Sequence, residues 1–417
     1  MVGFHNSKRP ANLTIFCERI TSSGMIQPVR HRAIFFIGGY EQKAPRAFFG
    51  RLTKQLSYFD SLWGYTSEVS AVEVSADEEI GTIIISTSSA QEAWSTETEF
   101  SFLSLNKLVL ADFARPMTVR LVRYLGSFAD FVFSGTAVRF FAHAWRFGLY
   151  FVYPFLVLAL FLLLGCCVTL LTWPLLGPAG TAPGVLVFCL ALCRLGKQWS
   201  TNHLMDLWSF SGAFIRDQRG DAEDLLQRYA ETVVRKVKNG NYDEILLIGH
   251  STGGMLMIDV LARCLAIDPD FARSARNVVL LTLGSTALKA GYHPAGRSFK
   301  TAVERLIDSD ELKWVEIQCL TDAINFYKTD PVKAMGLASK GSKTFPLVRS
   351  VKVRDMLKPE TYLKVRKNLF RVHYQYVYAN TKPYWYDFFQ ICCGPMPIYE
   401  RVEKRVVGPL PTEVELA

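Results

Sequence analysis

The chain contains Gly249-His250-Ser251-Thr252-Gly253, placed directly after the apolar run Ile245 to Ile248 and directly before Met255 to Leu265, whose apolar residues recur at helical spacing. That order predicts a buried strand that breaks into a G-x-S-x-G turn and continues as a helix. A serine on so sharp a corner takes strained backbone angles and presents its hydroxyl for nucleophilic attack. The glycines two residues to either side let strand and helix approach closely, because neither has a Cβ to clash.

A serine hydroxyl is a poor nucleophile at neutral pH, so it needs a histidine to take its proton and a carboxylate to fix that imidazole. The chain has seven histidines. His5 and His31 precede the first loop of the expected sheet, and His143 and His203 flank a long apolar segment. His250, as the x of the motif, is expected to point away from the serine. His293 and His373 remain as bases.

With the elbow as its most specific motif, the stretch from Arg32 to Tyr378 resembles the α/β-hydrolase superfamily, in which serine, acid and histidine follow successive strands at one sheet edge. The resemblance implies an acid after the second strand beyond the nucleophile helix, giving Asp322 in Thr321-Asp322-Ala323. It implies a histidine after the last strand, giving His373 in Phe370-Arg371-Val372-His373. Asp330, in Lys328-Thr329-Asp330-Pro331, is the rival acid and reads otherwise as a turn former. His293 is the rival base. The oxyanion hole implied by the resemblance uses the backbone amides of Thr252 and Tyr40, although Gly38-Gly39 stands where the family commonly has His-Gly. The stretches Asp322 to Tyr327 (DAINFY) and Phe370 to Tyr376 (FRVHYQY) are similar to those of bacterial membrane-associated α/β-hydrolase-like proteins. That similarity implies a bacterial inner-membrane location.

Composition sets the surroundings of this chemistry. Of 417 residues, 50% are hydrophobic and only 20% are charged, which points to a membrane-associated protein. The net charge of +9 suits an anionic surface. No basic low-complexity arm, zinc spacing or RNA-binding signature accompanies it, so lipid is favoured over nucleic acid. No cluster of histidines and carboxylates has metal-ligand spacing, and no cofactor is expected. The nine cysteines show no CxxC spacing and read as reduced thiols.

Tyr150 to Leu171 is an uncharged stretch long enough to cross a bilayer core as a helix. A second apolar stretch, Leu175 to Leu195, is broken by Pro178, Gly180, Pro183 and Gly184. Arg115, Arg120, Arg123, Arg139 and Arg146 precede the pair, and Arg194, Lys197, Arg216 and Arg219 follow it. Thr172 to Ala182, between them, has no Lys or Arg. Both outer flanks therefore read as cytoplasmic, and the expected arrangement is a spanning or re-entrant hairpin. No secretory signal is expected at the N-terminus.

The elements that must position the serine are read from periodicity. Strands are expected at Arg32–Ile37, Val69–Val74, Gly81–Thr87, Asn277–Leu283, Trp314–Leu320 and Leu347–Val353, with helices at Pro45–Leu56 and Asp221–Lys238. Trp94 to Leu110 reads as helical, and Met117 to Phe147 as an aromatic-rich helix lying either in the membrane interface or in an ordinary core. This alternation predicts a mostly parallel sheet covered on both faces. The expected organisation is residues 1–114 as the first part of the sheet domain, 115–200 as a membrane insertion, 201–400 as its second part, and 401–417 as a tail. The expected function is a membrane-anchored serine hydrolase acting on a lipid or acyl ester. An acyltransferase on the same residues, or a silent membrane scaffold, are the alternatives.

Overall fold

A computed structural model describes residues 26–338 and 344–409. His5, the N-terminal segment and the end of the expected tail lie outside the described residues.

The first strand, β1 (His31–Ile37), forms because Ala33 to Ile37 (AIFFI) is apolar on both faces and buried on both, with the buried Arg32 before it paired to Glu244 at 2.8 Å. A helix follows at Pro45–Trp63, with proline in its first turn, and closes on Gly64 in the left-handed region at φ 72°. β2 (Thr66–Val69) and β3 (Glu73–Val74) are two short pieces where one strand was expected. Both pair antiparallel with β4 (Ile80–Ser89), and β4 pairs antiparallel with β5 (Trp94–Leu103).

β5 corrects the helical expectation for Trp94 to Leu110, since helix begins only at Asn106 and ends at Phe113. The segment WSTETEFSFL alternates, but its buried positions include threonines that periodicity reads as polar surface. Those threonines are satisfied from far along the chain. Thr98 Oγ1 donates to the Cys392 carbonyl at 2.8 Å and Thr96 Oγ1 to that of Val29 at 2.9 Å.

β5 runs parallel to β1, and β1 runs parallel to β6 (Glu244–His250). Then β7 (Asn277–Leu283), β8 (Lys313–Cys319) and β9 (Leu347–Val351) add in the same direction. The sheet order is β2-β4-β5-β1-β6-β7-β8-β9, with β3 beside β4. This is an α/β fold on a mixed, mostly parallel sheet. One face packs against the helices Thr201–Ile215, Gly220–Asn239 and Thr252–Ile267. The other packs against Pro45–Trp63 and the C-terminal segments. The Ile398–Lys404 helix crosses the expected start of the tail, and Arg401 within it is fully buried.

Met117–Phe133 is a helix of its own, separated from the next by Gly135 at φ 74°. It buries Tyr124, Ser127 and Phe131 against Thr201–Ile215 but leaves Val122, Leu125 and Phe133 exposed on its outer side. The following helix, Thr136–Leu176, turns at Gly177–Gly180, and Thr181–Leu190 packs back along it. Glycines permit that contact, because a Cβ on Gly165 would meet the Gly184 carbonyl oxygen at 2.9 Å. Over Thr136–Gln198 the most apolar window has mean hydropathy 2.7 and 28% of it is buried, so this stretch is long and apolar enough to cross a membrane, while its first part packs Phe140, Phe147, Phe151 and Phe155 into the core.

Candidate active site

The carboxyl ends of the parallel strands converge on one edge, where ligands bind in sheets of this kind. β6 ends at His250, and Ser251 follows at φ 60°, ψ −124°, a conformation that costs a non-glycine residue of order 1–3 kcal/mol. The corner is held by its backbone. The Ser251 amide donates to the Leu283 carbonyl at 3.0 Å, and the Ser251 carbonyl accepts from the Gly254 and Thr286 amides. The flanking glycines are sterically required. A Cβ on Gly253 would lie 2.2 Å from the Ile37 carbonyl oxygen, and one on Gly249 would lie 2.5 Å from that of Gly253.

β8 leads to Asp322, whose Oδ1 accepts the Ile324 amide at 2.9 Å. Its Oδ2 lies 2.7 Å from His373 Nδ1, and the Asp322 side chain is fully buried. A carboxylate only accepts, so Nδ1 of a neutral imidazole carries the proton and Nε2 keeps its lone pair. His373 Nε2 is buried without a hydrogen-bond partner among the described residues, so the Ser251 hydroxyl is not bonded to it in this conformation. Ser251, His373, Tyr40 and Thr252 nevertheless line one cavity of about 60 Å³.

The rivals are occupied elsewhere. Asp330 caps the short Pro331–Ala334 helix, accepting the Val332 and Lys333 amides. His293 accepts the Ala295 amide on Nδ1, and its Nε2 is 3.3 Å from Asp130, away from the Ser251 cavity.

The β1 loop approaches the serine from the opposite wall. A Cβ on Gly39 would lie 3.7 Å from Ser251 Oγ, in space that a bound carbonyl group would need. The Tyr40 and Thr252 amides donate to no group among the described residues. Two side chains anchor this loop. Tyr40 Oη donates to Asp112 Oδ2 at 2.7 Å, and Asp112 is held by Arg219 at 2.9 Å and Arg115 at 3.2 Å. Glu41 accepts from Tyr374 Oη at 2.6 Å, which links the loop to the residue after His373.

His250 does not point away. Its ring lies 4.6 Å from that of His373, and its Nε2 is 3.1 Å from the His373 carbonyl oxygen. A carbonyl accepts, so Nε2 is the protonated nitrogen, and burial pushes this imidazole well below its ordinary range, keeping it neutral. His250 therefore holds the backbone of His373 in place. Motif spacing carries no signal for that role, because the contact spans 123 residues.

Lys289 is the other group that sequence reasoning missed. It is 1% exposed, donates to Ser211 Oγ at 2.9 Å and Thr252 Oγ1 at 3.3 Å, and sits over the Trp208 ring. It makes no ion pair among the described residues, and burial brings its pKa down to about 7. A cation at this depth could have been suspected only by knowing that its segment lies beneath the helix N-terminus after Ser251.

Comparison with known proteins found no matching family model, no matching curated protein and no matching solved structure.

Proposed function

We propose that the chain is a membrane-anchored serine hydrolase of α/β-hydrolase type that cleaves an acyl ester through an acyl-enzyme on Ser251. The observation that carries this reading is the strained Ser251 sharing a cavity with His373, whose Nδ1 is held by Asp322, and with two residues, Tyr40 and Thr252, whose amides donate to no group among the described residues. Ser251 Oγ attacks the ester carbonyl carbon while its proton passes to His373 Nε2. The Thr252 and Tyr40 amides receive the oxyanion, each such donor supplying a few kcal/mol. The bond to the alcohol oxygen then breaks, and the alcohol leaves with the proton from Nε2. Water, deprotonated by the same nitrogen, releases the acid and restores the serine. Asp322 keeps the imidazole in the required tautomer throughout.

The anchor in this reading is the helical pair around Gly177–Gly180. From Leu156 to Leu176, at 1.5 Å per residue, the first helix reaches about 30 Å, the thickness of a hydrocarbon core. No charged residue lies between Arg146 and Arg194, and both ends of the pair return to the sheet domain. That domain therefore stays on one side of the membrane, which the flanking arginines make the cytoplasmic side.

The test is labelling of isolated membranes with a fluorophosphonate probe. Native protein is expected to label, and Ser251→Ala and His373→Ala at equal protein level are expected not to. A folded native protein that fails to label overturns the proposal.

A further inference from the structure

A second cavity of about 600 Å³ adjoins the one at Ser251, and Tyr150, Leu204, Ile324 and Phe370 line both. Its volume falls within the range of ligand pockets, whereas the serine cavity alone holds little more than a reacting group. One wall is the stripe Leu149, Tyr153 and Leu156 of the long helix, spaced four and three residues apart so that they share a face. The opposite wall comes from the loops that carry the acid and the base: Ala323 and Ile324 follow Asp322, and Leu369 and Phe370 precede His373. Arg146 is the one charged residue lining it, and its guanidinium is already engaged with the Leu320 carbonyl oxygen.

Leu149, Tyr153, Leu156, Leu369 and Phe370 are all exposed, and they stand at the root of the uncharged helical pair. The surface of this groove is predominantly apolar, and two of its polar groups are already engaged, Arg146 with the Leu320 carbonyl oxygen and Tyr153 Oη with that of Trp199. Such a groove has no reason to stay open to water beside an apolar helix.

Resting on the hydrolase reading above, we infer that this groove receives a long acyl chain of a bilayer lipid. The chain enters sideways along the Leu149–Tyr153–Leu156 stripe. The ester carbonyl passes the constriction of Tyr150, Leu204, Ile324 and Phe370 to reach Ser251, while the tail remains in the groove. The same arrangement makes the enzyme selective for chain length, because a short acyl group reaches the serine without filling the larger cavity. A chain taken from water would gain about 0.8 kcal/mol for each further methylene buried in the groove, close to fourfold per CH₂, whereas a chain taken from the bilayer exchanges one apolar surrounding for another and is selected by how the filled groove holds its ester against Ser251.

The experiment measures hydrolysis of butanoyl and hexadecanoyl esters of one alcohol by the full-length protein in mixed micelles, for native protein, Leu149→Trp and Leu369→Trp. The long-to-short ratio of kcat/KM within each protein cancels differences in folded fraction. Native protein is expected to favour the long ester by tenfold or more, and both substitutions to reduce that ratio at least fivefold by filling the groove. A native ratio near one, or a ratio untouched by both substitutions, overturns the groove while leaving the hydrolase reading intact. If the native protein neither labels with fluorophosphonate nor hydrolyses either ester, the hydrolase reading falls. Photocrosslinking with a diazirine-bearing hexadecanoate then decides the groove alone. Adducts at residues 145–156 and 369–370 support it, and adducts confined to 160–190 overturn it.

Discussion

Replacing Lys289 by methionine should make the protein more stable at neutral pH and remove a specific part of its pH dependence. The native ammonium is buried against Ser211, Thr252 and the face of Trp208, with no carboxylate among the described residues to balance it. Its pKa falls from about 10.4 in an unfolded chain to about 7 in the fold. The folded form thus sheds a proton that the unfolded form retains, so stability rises with pH between those two values. The full span is about 5 kcal/mol at 1.36 kcal/mol per unit. Between pH 7 and 9, where the folded lysine is half to fully deprotonated, the rise attributable to this group is about 2 kcal/mol. Methionine matches the stem and carries no charge, at the loss of two hydrogen bonds worth about 1 kcal/mol each. Urea unfolding of both proteins in one detergent at pH 7, 8 and 9 gives the difference directly, with all other titrating groups cancelling. The native protein should gain about 2 kcal/mol relative to the variant over this range. A difference constant to within about 0.5 kcal/mol would mean that water reaches the ammonium and that burial does not lower its pKa.

Glu316 provides the opposite slope. It is buried on β8 beside Thr282 of β7, and burial pushes its carboxyl up to about 8, so it folds protonated and loses stability as pH rises from about 4.3 toward 8. Glu316→Gln should therefore be more stable than native by up to about 3 kcal/mol at pH 7 and no more stable at pH 4, measured by the same unfolding series. His250→Phe keeps the ring contact with His373 but removes the bond to its carbonyl oxygen. Fluorophosphonate labelling of Ser251 should slow about tenfold, as for a supporting group removed around a working imidazole, with thermal stability lowered by about 1 kcal/mol. Unchanged labelling would mean that the Asp322 contact alone orients the base.

Elements whose signal is local are legible in the order of residues alone. The apolar runs of β1, β6 and β7 bury on both faces, so they stand out without a partner being known. The Gly249–Gly253 turn needs its glycines because strand and helix touch there. The uncharged stretch from Phe147 to Cys193 is long enough to declare a membrane-crossing length from composition alone. The remaining features depend on groups remote in the chain. β5 was unreadable because its buried threonines are satisfied by Cys392 and Val29 carbonyls. That strand also sets where the apolar insertion departs. β4 runs antiparallel to β5, so leaving after β4 would place the insertion at the wrong edge, and β5 returns the chain to the edge that holds Ser251. Asp322 and Asp330 are equally acidic in sequence. Only the fold brings the first to 2.7 Å from His373 and turns the second into a helix cap. His250 and Lys289 likewise acquire their roles from burial and from partners tens to more than a hundred residues away. Periodicity reports which face of an element is apolar, but the desolvation and hydrogen bonding that define this site arise only when distant segments close around it.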